Sequence, residues 1–343
     1  MARLKLATFN INGIRARLGG LLEWLEREQP DIVCLQELKA PDESFPAADI
    51  ESAGYGAIWQ GQKSWNGVAI LARGSQPRER LRGLPGDRDD VQSRYLEADV
   101  HGLVVGCLYL PNGNPWPGPK FDYKLAWFDR LIRHAQSLQK GGPAVLAGDF
   151  NVVPTDELDI YNAKSWRTDA LLQPESRDAY RRLLAQGWTD SIRHLHGDAR
   201  IYTFWDYFRK HWERDAGLRI DHLLLNPAIT QTLKAANVDR WVRGRPGASD
   251  HAPTWIELEI GGDRSAVEKK NRVAARSEID SERGPADRGV GRTVSVPKTA
   301  ARKAVAKKRI AKKVAAQVAG RKPAAAKKTL QTAAKKSRHT PAD

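Results

Sequence analysis

The chain has 343 residues, 41% of them hydrophobic, with 11 Trp, 8 Tyr, 7 Phe and a formal charge of +15. Such a length and apolar content support a large buried core and exclude a chain too polar to fold. No apolar run approaches the roughly 18 residues of a membrane span, and the opening MARLKLATFNINGIRARL, interrupted by Asn10, Asn12 and Arg15, is neither a secretory signal nor a transit peptide.

In chain order, RLKLATFN predicts a first strand, and residues 20–28 follow with helical spacing. DIVCLQE, YGAIWQ, NGVAILA, RYLEADV and LVVGCLYL read as further strands, rich in Val, Ile, Leu and Tyr and bounded by Gly, Pro or Asn. A second helix is predicted over 121–139, with Leu125, Phe128, Leu131 and Ile132 on one face. PAVLAGDFN, RIDHLLL and APTWIELEI complete the strands. This mixture predicts one α/β domain, residues 1–261, built on more than one sheet. Cys34 and Cys107 fall inside apolar runs, which predicts reduced packing residues in a reducing cytosol and excludes cysteine catalysis.

The charge is not spread along the chain. Residues 262–343 hold 23 Lys and Arg against 7 Asp and Glu, a net of +16, which leaves −1 for residues 1–261. No aromatic residue follows Trp255 and no acidic one lies between Arg288 and Ala342. Lys pairs such as Lys307–Lys308 and Lys327–Lys328 recur among Ala, Val and Pro. This composition predicts a disordered or transiently helical tail. Its RKPAAAKK pattern resembles tails of linker histones and some bacterial chromatin proteins, which implies nucleic-acid binding through counterion release. A solubilising role and another polyanion are the alternatives. Nothing in the tail anchors it to a membrane.

Polar residues interrupt the predicted strands at their ends. Asn10 ends the first, Glu37 the second, Tyr109 lies near the end of GCLYLPNGN, and Asp149 and Asn151 follow AVLAG. Asp221 lies inside RIDHLLL, and Asp250 and His251 precede the last strand. One strand-terminal Asp or Asn is an ordinary turn or cap residue; recurrence on successive strands predicts a site at one sheet edge. Glu37 is a hard oxygen ligand suited to Mg²⁺ or Mn²⁺, and Asp149 a base for an attacking water. Asn10 and Asn151 can hold that water or a phosphoryl oxygen. Tyr109 is a donor, and Asp221 can fix one nitrogen of His251 so that the other stays protonated. The set suits metal-assisted hydrolysis of a phosphate ester. No Walker-type loop, HExxH helix or GxSxG elbow competes with it.

TFNINGIRAR, IVCLQELK, WNGVAIL, YLPNGN, KFDYKLAWF, AGDFNVVPTDELDI, YTFWDY, LRIDHLLL and SDHAPTWIEL together resemble the exodeoxyribonuclease III group of class II abasic-site endonucleases. That group is a branch of the endonuclease/exonuclease/phosphatase superfamily, and the resemblance covers residues 1–260. It implies a four-layer α/β sandwich of two packed mixed sheets flanked by helices. It also implies Mg²⁺ at Glu37, with Asn10, Asp149, Asn151 and Asp250 as neighbouring or alternative metal residues. Asp149 and Asn151 would activate water, Asp221 would orient His251, and Tyr109 and Asn112 would contact the phosphate. Phe204 and Leu218, with Trp205 beside them, are candidates for an apolar pocket that accepts a base-less sugar, plain core packing being the alternative. Arg15, Arg94 and Lys120 are candidates for a basic DNA-facing surface. Asn12 stands where eukaryotic-type members have Asp, which weakens a second metal site. Pro115 stands where a eukaryotic-type member inserts Arg into the duplex.

The implied activity is cleavage 5′ to abasic sites in double-stranded DNA, with removal of 3′ blocking groups and 3′ nucleotides, by a cytoplasmic monomer. Another phosphoesterase of the superfamily, acting on inositol phosphates or lipids, and a non-catalytic chromatin-type DNA-binding protein are the alternatives.

Overall fold

The computed structural model describes residues 2–260, and the expectations for the basic tail lie outside the described residues. The first sheet contains β1 (Ala2–Asn10), β2 (Ile32–Gln36), β3 (Tyr55–Gln60) and β4 (Val68–Arg73). The second contains β5 (Arg78–Arg82), β6 (Tyr95–Val100), β7 (Leu103–Tyr109), β8 (Ala144–Asp149), β9 (Thr189–Asp190) and β10 (Asp221–Leu225). The chain then returns to the first sheet with β11 (Leu233–Val238) and β12 (Thr254–Ile260). The orders are β11-β12-β1-β2-β4-β3 and β5-β6-β7-β8-β10-β9, each mixed in direction.

Helices cover both outer faces. Leu21, Trp24 and Leu25 of α1 (Ile14–Glu28), Ile50 of α2 (Ala47–Ser52) and a later short helix pack on Phe9, Val33, Leu35 and Leu71 of the first sheet. Trp127, Phe128 and Leu131 of α3 (Pro119–Leu138), with Tyr180 and Leu183 of α4 (Pro174–Leu184), pack on Leu108, Leu146 and Leu224 of the second. Ile192 of α5 (Ser191–His196) and Ile229 of α6 (Pro227–Thr230) join the layer between the sheets, and α7 (Arg240–Arg243) buries Val242 on the first sheet. The result is the expected four-layer sandwich. No described helix is long and apolar enough to cross a membrane.

The differences from the sequence reading have simple causes. The β5 segment, RERLR, lies at a sheet edge with most of its residues exposed, so it carries no hydrophobic alternation to detect. In α3 the buried stripe runs through Phe121, Lys124, Phe128, Leu131, Ala135 and Leu138, whereas Leu125 and Ile132 are only half-buried. The apolar count rotates the predicted face because a lysine lies at its centre. Gly148 is required by pairing: a Cβ there would lie 1.9 Å from the Leu108 carbonyl oxygen on the parallel neighbour β7.

A buried ion network ties the loop after β8 to the start of β10. Arg219, fully buried, donates through Nε to Asp159 at 2.6 Å and through Nη1 to Asp190 at 2.7 Å. Burial raises both carboxyls, but Arg219 more than offsets it and holds Asp159 below the usual range and Asp190 at about 2. Arg219→Leu would leave buried Asp190 without its arginine and Asp159 with Arg193 alone, at 3.1 Å, and a loss of about 3–5 kcal/mol is expected in urea unfolding. Both folded pKa values are depressed, so this stabilisation is full above the unfolded value of about 4 and is lost as pH falls toward the folded values. The variant should therefore lose the wild-type fall in stability over that acid window.

Candidate active site

The side-chain period of two explains why most of the strand-end polar residues meet; Glu37, one residue past Gln36, is out of phase and follows a backbone turn at φ 52°. On β1, Leu4 and Leu6 point into the layer between the sheets, and the same parity brings Thr8 and then Asn10 to that layer. The other central strands repeat the pattern: Ile32, Cys34 and then Gln36; Val105, Cys107 and then Tyr109; Val145, Ala147 and then Asp149; Leu225, Leu223 and then Asp221. β1 runs parallel to β2, and β7 parallel to β8, so these ends share an edge. β10 and β12 run antiparallel to β8 and β1, so they contribute their starts, Asp221 and the residues before Thr254. The apolar interlayer core thus ends in one polar cluster.

The cluster is joined by short hydrogen bonds. Asn10 Nδ2 donates to Glu37 Oε1 and to Asp149 Oδ2, both at 3.0 Å. Tyr109 Oη donates to Glu37 Oε1 at 2.7 Å, and Lys39 Nζ lies 2.7 Å from Glu37 Oε2. The Asn151 N–H donates to Asp149 Oδ1 at 2.9 Å, and Asn112 Nδ2 to Asn151 Oδ1 at 3.2 Å. His251 Nδ1 is 2.8 Å from Asp221 Oδ2, and His251 Nε2 is 3.9 Å from Asp149 Oδ2. Asn12, Glu37, Lys39 and Asn151 all hold positive φ, between 47° and 52°. Such backbone costs energy and persists where surrounding bonds fix it.

Charge states follow from burial and neighbours. Burial pushes the Asp149 carboxyl up to about 7, with Asp221 and Glu37 adding to the rise and His251 opposing it. Burial alone would lower His251, but Asp221, Asp149 and Asp250 outweigh it and hold the imidazolium up to about 10. Glu37 is also desolvated, yet Lys39, Asn10 and Tyr109 keep its carboxyl below the ordinary range. The site therefore combines a tuned carboxyl, a protonated imidazole and an ionised carboxylate.

This acidic cluster can hold a metal ion. Ligand atoms of Asp149, Asp221 and His251 lie within 4.8 Å of one another. His251 bonds Asp221 through Nδ1, which leaves Nε2 facing Asp149. Glu37 also suits a cation: its carboxylate stays ionised and its Oε2 already pairs with the Lys39 ammonium, a charge that a metal ion could replace.

The remaining predicted positions divide by exposure. Asn112, Arg15 and Lys120 are exposed. Arg94 lies over the Tyr109 ring, 4.8 Å from its centroid, and donates to the Tyr109 carbonyl at 3.2 Å, so it buttresses Tyr109. Asp250 accepts from Asn12 Nδ2 at 2.9 Å and reaches Glu37 only through Asn12 and Lys39. Phe204 is partly exposed and packs edge-on against His251, with ring centroids 5.0 Å apart. Leu218 and Trp205 are 0% exposed, and the Trp205 indole donates to Asp215 at 2.9 Å. Both are packed away from the surface, and of the three apolar candidates only Phe204 has surface to offer.

The sequence reading does not single out Lys39, Ser249 or Lys124. Lys39 also donates to Asn12 Oδ1 at 2.6 Å, and Ser249 Oγ donates to the Asn10 carbonyl at 2.7 Å. Buried Lys124 donates to the carbonyls of Asn112 and Asn151, joining the two loops that carry those amides. Burial draws its ammonium down to about 7 against the pull of Asp169 and Asp149. A lysine within the apolar stripe of α3 is the signal that identifies it.

A two-sheet sandwich whose interlayer ends in this carboxylate, amide and imidazolium cluster defines a phosphoester hydrolase. The chain belongs to the endonuclease/exonuclease/phosphatase family, which it matches over residues 7–251, and it is a nuclease of the exodeoxyribonuclease III and AP endonuclease group. It is 36% identical to exodeoxyribonuclease III of Haemophilus influenzae over 269 residues, 75% of this chain and 100% of that one. The fold is similar to a 3′ phosphatase from Neisseria solved with a product DNA hairpin, at a TM-score of 0.72 and 38% identity. An AP endonuclease from Archaeoglobus fulgidus gives a TM-score of 0.72 at 34% identity, and each of these two likenesses covers 75% of this chain and 100% of the other.

Proposed function

We propose that the protein is a Mg²⁺-dependent DNA repair nuclease that hydrolyses the phosphodiester 5′ to abasic sites in double-stranded DNA, and also clears blocked or terminal nucleotides from 3′ ends. The observation that carries this reading is the placement of Asp149, a carboxyl held near neutrality, between Asn10 and the protonated His251. Asp149 takes the proton of the attacking water, which Asn151 helps to hold. The water oxygen bonds to phosphorus, the bond to the upstream 3′ oxygen breaks, and that oxygen takes a proton from solvent to leave a 3′-hydroxyl. His251 faces the negative charge that develops on the phosphoryl oxygens, and Asp221 fixes its orientation. Glu37, with Asn10 beside it, would hold the Mg²⁺, which neutralises phosphate charge when bound. An abasic nucleotide suits the site because it has lost its stacking and is the least costly to extrude.

The test is cleavage of a duplex with one abasic analogue, and of its undamaged counterpart, with and without EDTA. Incision 5′ to the lesion that EDTA abolishes supports the reading; indifference to the lesion favours a general phosphoesterase, and no cleavage at all a DNA-binding role.

The composition of the tail supports a second element of the same function, non-specific DNA binding by a cytosolic monomer. Removing residues 262–343 should leave single-turnover cleavage at saturation unchanged and weaken binding to undamaged duplex. The slope of log affinity against log salt should flatten by about 0.9 for each phosphate that the tail no longer neutralises. An unchanged slope in fluorescence anisotropy titrations would assign the tail to a protein partner or to solubility.

A further inference from the structure

Beside the catalytic cluster lies a cleft of about 930 Å³ that none of the roles above uses. Trp116, Tyr161, Trp166 and Phe208 are among its walls. We propose that this cleft holds an unpaired nucleobase, the 3′-terminal base of a mismatched or frayed duplex, while its phosphodiester is in the hydrolytic site. The inference rests on the reading of the protein as a DNA nuclease with 3′-end activity, and it adds a specificity for the base that the hydrolytic cluster lacks.

The lining matches a neutral heterocycle better than it matches phosphate. Four aromatic side chains offer stacking faces, which bind bases with little regard to sequence. Asp169 and Asp206 lie in the same wall as the one Arg209, so the cleft has no excess of positive charge to attract an anion. One oxygen of each carboxylate accepts a backbone N–H, from Leu171 at 2.9 Å and from Phe208 at 3.0 Å. The second oxygens are acceptors suited to the exocyclic amino groups of bases. Phe208 is 74% exposed, a ring that gains from being covered.

A short connection links the cleft to the chemistry. Asn114, in its wall, donates from its backbone N–H and from Nδ2 to Asn112 Oδ1, at 3.2 and 2.8 Å. Asn112 in turn donates to Asn151, so the stacking wall and the hydrolytic cluster are two side chains apart. Asn114 Oδ1 also accepts from the Ala170 N–H at 2.9 Å, which fastens the opposite wall to the same loop. An abasic nucleotide brings no base, and its incision would leave the cleft empty.

The full-length protein, with Ca²⁺ in place of Mg²⁺ to suppress turnover, can be titrated against a duplex carrying 2-aminopurine as a mismatched 3′-terminal base. Stacking in the cleft should quench the fluorescence, and Phe208→Ala and Trp166→Ala should relieve the quench. With Mg²⁺, each variant should remove the mismatched 3′ nucleotide roughly tenfold more slowly, with abasic incision changed less than about twofold. Phe208 is exposed, so its variant reports on the cleft even if Trp166→Ala fails to fold. No quench in the wild type, or a quench unchanged in Phe208→Ala, overturns the inference. A wild type that cleaves neither abasic nor 3′-mismatched duplex overturns the proposed function instead, while the quench still decides the cleft.

Discussion

Asp149→Asn is expected to lower single-turnover cleavage by roughly 10³- to 10⁴-fold, within the range for losing a positioned general base, while the protein stays folded. Asparagine keeps the size of the side chain and can still accept the Asn151 N–H through its oxygen. It cannot accept a proton from water. The substitution also removes a carboxylate that repels the substrate phosphate, so affinity for abasic DNA should stay level or rise. Quench-flow rates paired with anisotropy binding check both halves. Catalysis retained at neutral pH would remove Asp149 as the base, whereas a parallel loss of binding and rate would make it a structural residue.

Glu37→Gln should cut turnover by roughly 10²- to 10³-fold, in line with losing several kcal/mol of charge stabilisation, and raise the Mg²⁺ concentration needed for half-maximal rate. Glu37 accepts from Asn10, Tyr109 and Lys39 together. The amide keeps the packing and one acceptor but loses the charge that draws a cation. Its NH₂ must also face one of those donors, so a small loss of thermal stability should accompany the kinetic effect. Titrating Mg²⁺ against rate at fixed ionic strength separates the two. An unchanged Mg²⁺ dependence would move the metal to another group of the cluster.

Both variants act on residues that are visible in the sequence because composition and order mark them. A Val, Ile and Leu run that ends in Asp149, or in Glu37 after CLQ, reads as a buried strand that stops at a polar group. The central strands and an α/β domain on more than one sheet follow from the same local patterns, and the two-sheet sandwich from the family resemblance. The division between a nearly neutral catalytic region and the +16 tail is a matter of counting and is complete in the sequence.

Tertiary structure decides the rest, because it depends on which side of a strand a residue faces and on which strand lies beside it. Asn10 is recognisable as a strand end, but its hydrogen bond to Asp149 joins two sheets across 139 residues of chain. Trp205 and Leu218 read equally well as pocket or core, and only the tertiary structure shows that both are completely buried. Lys124 looks like a surface charge until α3 docks and its ammonium meets two carbonyls. Local sequence thus determined the central strands, their polar ends and the charge of each segment, since these depend on near neighbours in the chain. The pairing of opposite strand directions, the pKa values and the aromatic cleft arose only from long-range packing, which sets the burial and the charged neighbours of every group.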